Sequence, residues 1–322
     1  MIKNILIATS YLGILKTLHT CLSENEYNVI GVFSRERSDI INYANEVGIQ
    51  YVDIEKVDSK LEELFASKID LGIAWGINYL NNDLLELPDK GFINIHPSNL
   101  PSYRGGFPFQ AQILNDEKFF KISIHKTTPI IDKGIVLAKS DSIIIEENDG
   151  MVSLVNKCLN AVPGLIIKVL NNFDECYSNP EIINWEDAKS LPNAWGKIKR
   201  FKGYENGVLG NLAIDFNTDT IAVLKRKIKA FDMIGGPYFQ VYNTVLNVKS
   251  IKEVINEKTN SLGEVVNFSK NEITIQCIGA QLTFKININD TFSKVPIEID
   301  KNMVALNSIR LDDYVNKTIF SK

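Results

Sequence analysis

Gly91–Arg104, GFINIHPSNLPSYR, is the stretch whose reading decides the fold of this chain. Phe92, Ile93 and Ile95 make a short apolar run of the kind a buried strand shows, and Asn94 and His96 stand at its end. Pro97 and Pro101 then turn the chain into a loop that carries Tyr103 and Arg104. Side chains alternate along a strand, so Asn94 and His96, two residues apart, share one side of the pleat. An amide and an imidazole are thereby presented together at the edge of an α/β sheet.

Upstream, the pattern repeats the strand-then-helix unit. Residues 4–9 read as a strand buried on both faces and lead into a helix ending near Ser23. Residues 28–34 give a second strand, and Ile40, Ile41, Ala44 and Val47 a helical stripe. Further strands are expected at 49–53 and 69–75, with helices marked by Leu61, Leu64 and Phe65 and by Leu84, Leu85 and Leu87. This alternation predicts an α/β fold with a mainly parallel sheet and helices on both faces.

Downstream, residues 107–114 suit a short helix, 119–126 a strand, and 134–145 one long strand or two short ones. Met151 to Leu170 traces a long amphipathic helix that Pro163 should kink. The first domain is expected to cover residues 1–172. Residues 173–209 lose periodicity but keep Phe173, Tyr177, Trp185, Trp195, Phe201 and Tyr204, which predicts a packed connection. From 210 to 322 a basic helix (Lys225, Arg226, Lys227, Lys229) is followed by period-two runs, as in a small β-rich barrel-like domain.

The 322 residues carry a net charge of −4, which argues against a dominant nucleic-acid footprint. Cys21, Cys158, Cys176 and Cys277 form no CxxC pair and read as reduced thiols in a cytoplasmic setting. With only three histidines, a zinc cluster is not expected. No run of about 18 apolar residues is present, so no membrane span is expected. The first strand–helix turn, TSYLGILK, lacks the glycines of a dinucleotide or triphosphate loop.

Asn94, His96 and Asp132 of PIIDKG are the residues left to carry chemistry. A histidine moves protons near neutral pH, a carboxylate holds its tautomer, and an amide can donate to an oxyanion. Together they suit acyl transfer to an amine. Each alone is more often structural, since an Asp before Lys-Gly is a common turn former.

The words around them shift that balance. NIHPSNLPSYRG at 94–105, ISIH at 122–125 and DKGIV at 132–136 resemble the folate-dependent formyltransferases in order and spacing. The resemblance implies a Rossmann-like sheet and 10-formyltetrahydrofolate as formyl donor. It implies Asn94, His96 and Asp132 as the catalytic triple. It also implies a folate pocket from Trp75, Gly76, Ile77 and Asn78, from Ser98, Asn99, Leu100 and Pro101, and from Thr128, Pro129, Ile130 and Ile131. The usual family word has Leu where this chain has Asn99. His125 matches too, but is expected to point away from the triple in a structural role. The second domain is similar, more loosely, to the C-terminal domains of methionyl-tRNA and sugar formyltransferases. The first-turn word ATSYLGI and the short SRERSDIIN after Phe33 lack the phenylalanine word and the basic loop of the tRNA enzymes. The resemblance then favours a nucleotide-linked amino sugar as partner, with methionyl-tRNA as the alternative, and neither membrane nor nucleic acid bound. Relatives of this kind are often homodimers.

Overall fold

Apolar strands buried on both faces need helices to cover them, and the first half of the chain supplies both. The computed structural model describes residues 2–56, 65, 68–77, 80–185, 212–241, 244–255, 261–269, 271–288 and 305–306. In chain order come β1 (Asn4–Ala8), α1 (Leu12–Glu24), β2 (Asn28–Ser34), α2 (Ser38–Val47), β3 (Gln50–Asp53), β4 (Leu71–Ala74), α3 (Asn82–Glu86) and β5 (Phe92–His96). The helix expected around Leu61 and Leu64 lies outside the described residues; Phe65 packs against the core of β1, β2 and β4. α4 (Pro108–Leu114), β6 (Phe119–Phe120), β7 (Ser123–Lys126), β8 (Val136–Lys139), β9 (Ile143–Ile144), α5 (Met151–Asn171) and α6 (Phe173–Ser178) follow.

The main sheet has seven strands in the order β3-β2-β1-β4-β5-β7-β8. β3 through β5 run parallel, as expected of doubly wound α/β units, and β7 turns antiparallel against β5. The 119–126 stretch is two strands, not one. β6 leaves the main sheet to pair with β9, while β7 stays in it. The break falls at Lys121 and Ile122, where Ile122 N–H bonds to the Ser140 hydroxyl instead of a sheet partner. Residues 134–145 divide likewise into β8 and β9.

α5 runs in one piece through Pro163. By length and composition it could cross a membrane, which the sequence reading did not anticipate. Its buried residues Leu154, Cys158, Val162, Leu165, Ile166 and Val169 recur at helical spacing, the pattern of a helix with one face in a protein core.

The chain divides into two compact units, one of residues 1–108, 119–144 and 156–189, the other of 109–118, 145–155 and 190–322. The second unit holds α7 (Ile221–Ala230) and the strands β10 (Tyr238–Val241), β11 (Thr244–Ile255), β12 (Val265–Ser269), β13 (Glu272–Cys277), β14 (Ala280–Ile288) and β15 (Ala305–Leu306). They form a six-stranded antiparallel sheet, β12-β13-β14-β11-β10-β15. Its core is built on Phe216, Phe239 and Phe284, packed edge to face and tilted, with Leu224 of α7 against them. The basic helix leaves Lys225 exposed but turns other cations inward. Lys227 is buried and donates to Asp219 at 2.6 Å and to the Ala213 carbonyl at 2.7 Å. Arg226 reaches Asp116 at 4.0 Å, and Lys229 bonds to the Glu147 carbonyl.

Candidate active site

The register of β5 against β7 pairs Asn94 with His125 and His96 with Ser123. Directly opposed residues on adjacent strands point to the same face, so Asn94, His96 and His125 converge on one side of the sheet. His125 therefore joins the cluster, contrary to its expected place facing away. The antiparallel turn of β7 is the reason, and the spacing of single residues along the sequence does not reveal that pairing.

The acid arrives from the connection between β7 and β8. That hairpin curls back over the sheet, and its return passes so close to β7 that a Cβ on Gly134 would lie 1.7 Å from the Lys126 carbonyl oxygen. Only glycine fits there. Asp132 itself has φ 48°, in the left-handed region where a side chain is disfavoured. The backbone accepts that cost where its carboxylate makes several bonds.

Those bonds define the site. Asn94 Nδ2 donates to Asp132 Oδ1 at 3.0 Å and meets His125 Nε2 at 3.1 Å. His125 Nδ1 donates to the Lys126 carbonyl at 2.9 Å, which leaves Nε2 as the nitrogen that accepts from Asn94. The same Nε2 lies 3.3 Å from Asp132 Oδ1, a contact that becomes an ion pair once the ring takes a second proton. His96 Nε2 donates to the Tyr103 carbonyl at 2.9 Å, and its Nδ1 lies 3.5 Å from Asp132 Oδ2. The Gly105 N–H donates to that same Oδ2 at 2.8 Å.

Burial opposes ionisation of Asp132, but the neighbouring His96 and His125 and the Gly105 N–H outweigh it and hold the carboxyl well below its ordinary value. Burial lowers His96 from its ordinary value against the opposing pull of Asp132 and the Tyr103 carbonyl. The arrangement is thus an ionised carboxylate beside an imidazole kept ready to accept a proton, with both Asn94 amide hydrogens engaged.

The remaining expected residues divide by what their side chains do. Ser98 and Leu100 are fully buried, and Ser98 spends its hydroxyl on the Ser102 carbonyl at 2.7 Å. They shape the loop; Asn99 is its exposed member and Pro101 is half-buried. Trp75 is buried and its backbone N–H bonds to the Ala8 carbonyl, while Gly76 turns with φ 67° under the Tyr11 ring and Ile77 is half-buried. Asn78 lies outside the described residues. Thr128 bonds to the Ile130 carbonyl, Pro129 is exposed, and Ile130 and Ile131 are 57% and 37% exposed. Among the described residues no His, Cys, Asp and Glu group could hold a metal ion.

Residues 16–170 match the formyl transferase family model, and residues 210–289 match that of the formyl transferase C-terminal domain. A methionyl-tRNA formyltransferase of Ehrlichia chaffeensis is 30% identical over 169 residues, 48% of this chain and 55% of that protein. The chain thus spans about half the length of that relative. One of Thermosipho melanesiensis is 25% identical over 270 residues, 80% of this chain and 82% of the relative. Among solved structures, WlaRD, a sugar 3N-formyl transferase in the presence of dTDP and 5-N-formyl-THF, aligns at TM-score 0.59 and 18% identity over 89% of this chain and 98% of its own. HypX from Aquifex aeolicus in complex with tetrahydrofolic acid aligns at 0.58 and 17% over 98% and 47%. At these identities the two share the fold.

Proposed function

We propose an activity for a chain that belongs to the formyl transferase family through both of its matched domains: transfer of a formyl group from 10-formyltetrahydrofolate to the primary amine of a nucleotide-linked amino sugar. The cluster of Asn94, His96 and Asp132 around one point of the sheet carries the transferase reading. The neutral amine attacks the formyl carbon, a C–N bond forms, and the carbonyl becomes an oxyanion. His96 Nδ1 takes the proton the amine gives up, and the Asp132 carboxylate stabilises the imidazolium. Collapse breaks the bond to N10 of the folate, and the proton passes to that nitrogen. Proton and electron pair balance, with no oxidant needed. Asn94 serves the oxyanion once the carbonyl oxygen of the formyl group replaces His125 Nε2 as the acceptor of one of its hydrogens. The exposed apolar Ile130 and Ile131, with the backbone of residues 75–77, suit the flat pterin of the donor.

For the acceptor, the connection from β2 to α2 is three residues long, 35–37, which supports a small amine over an RNA. Arg226, Lys227 and Lys229 of α7, bonded within their own unit, support the same choice, since RNA binding needs cations facing phosphate. Methionyl-tRNA is the second reading, favoured by the named activity of the curated relatives given above. The test is incubation with 10-formyltetrahydrofolate and, in separate reactions, dTDP- and UDP-linked amino sugars or methionyl-tRNA, followed by mass spectrometry. An N-formyl sugar is the expected product. Formylation of methionyl-tRNA alone overturns the acceptor, and no formyl product on any amine overturns the transferase reading.

A further inference from the structure

We infer that Lys139 is a positioning residue of this site, acting through the loop that carries Tyr103 and Gly105. The inference rests on the formyl-transfer reading for its kinetic consequence but not for its structural one. The loop gives the cluster two backbone groups, the Tyr103 carbonyl that holds His96 Nε2 and the Gly105 N–H that holds Asp132. Neither belongs to a helix or strand. Tyr103 moreover sits at φ 58°, a conformation that costs energy for a residue with a Cβ. Contacts outside the loop must therefore hold it in place.

Two sets of contacts do so. On the sheet side, the Ser123 hydroxyl donates to the Ser98 carbonyl at 2.7 Å and accepts from the Leu100 N–H at 3.2 Å. On the other side, Lys139 Nζ at the end of β8 donates to the Leu100 carbonyl and to Glu181 Oε1, each at 2.7 Å. The Lys139 side chain is only 12% exposed. An ammonium so largely withdrawn from water needs both partners, so Glu181 determines where Nζ sits and Nζ determines where the Leu100 carbonyl sits. Glu181 is itself anchored, its N–H bonded to the Val136 carbonyl at 3.0 Å in an antiparallel bridge. Four residues on, the Trp185 ring lies 5.9 Å from the Arg104 guanidinium. Residues 181–185 thus engage the loop at two points, at Leu100 through Lys139 and at Arg104 directly. Among the described residues Lys139 bonds to none of Asn94, His96, His125 or Asp132.

The test compares Lys139→Met, which keeps the stem and removes the ammonium, with Lys139→Arg, which keeps the charge. Lys139→Met is expected to lower kcat about ten- to a hundredfold with the donor KM little changed, as misplacement of catalytic groups does, and Lys139→Arg to restore most of it. A second readout needs no turnover: nitrogen NMR of the imidazoles, which only three histidines make assignable. Wild-type protein should show His96 protonated at Nε2, and Lys139→Met should lose that preference. The groups facing His96, namely Asp132, His125 and Arg104, are unchanged in both variants. A Lys139→Met protein with wild-type His96 signals overturns the inference whether or not kcat falls. Should wild-type protein formylate no acceptor, the activity reading fails while the imidazole spectrum still decides this one. Should Lys139→Met fail to fold by circular dichroism, Glu181→Gln, at the more exposed end of the latch, carries the same readouts with the same expected and overturning results.

Discussion

At the scale of the residue, Asp132 concentrates the demands of the site. It accepts from Asn94 and Gly105 and faces two imidazoles, and each of these partners favours its ionised form. Asn94→Ala, His96→Ala and Asp132→Asn should each lower kcat by at least about a hundredfold, the low end for an oxyanion or acid–base group. Steady-state kinetics checks this, and a His96→Ala enzyme with wild-type kcat removes His96 from the chemistry. The same groups set a pH dependence of stability. A carboxyl whose folded value is depressed stabilises the protein above its unfolded value of 3.8, and that stability drains away as pH falls below it. His96, also lowered on folding, must be charged to match the unfolded chain, so stability is lost as pH falls below 6.5. Both act in one direction. Melting temperature should therefore drop in two stages on acidification, the upper stage missing in His96→Ala and the lower one reduced in Asp132→Asn.

At the scale of the element, the β7–β8 hairpin matters most. Asn94 and His96 were legible from period two alone, because one strand suffices to place them. Asp132 was legible as a candidate from its residue type in a Gly-bounded loop, and only the resemblance to a known word raised it above a turn former. What brings it to the sheet is a fold-back, and a fold-back leaves no periodic trace. His125 was misread for a related reason, since its direction depends on which strand β7 pairs with and in which register. The ISIH alternation held part of the signal, as it puts Ser123 and His125 on a common face. Gly134 is where the hairpin is tested. Gly134→Ala sets a methyl against the Lys126 carbonyl, so the return strand must shift and carry Asp132 with it. Loss of kcat by about a hundredfold is expected, the effect of roughly 1 Å of misplacement. An Ala variant with unaltered turnover and melting would mean that the hairpin does not set the position of the acid.

At the scale of the whole molecule, composition and alternation foretold an α/β sheet and a β-rich C-terminal part. They could not foretell that a lysine from a row of four charges would be internal, because a charge run carries no record of what packs against it. Lys227 and Asp219 form a buried pair, and removing one partner strands the other. Lys227→Ala should cost about 3–5 kcal/mol, whereas replacing both by apolar residues of similar size should cost far less. Urea unfolding of the single and double variants separates these outcomes.

The unit that contains the C-terminal sheet also claims residues 109–118 and 145–155, drawn from the later part of the N-terminal half. Within it, Asp116 and Glu147 from those two stretches meet Arg226 and Lys229 of α7. A lineage that exchanged this unit for another by a single recombination event would inherit a sheet and helix deprived of two of their own pieces. Heredity of the C-terminal part is thereby tied to short internal sequences far upstream, and substitutions at 109–118 or 145–155 should co-vary with α7 rather than with the catalytic strands that flank them.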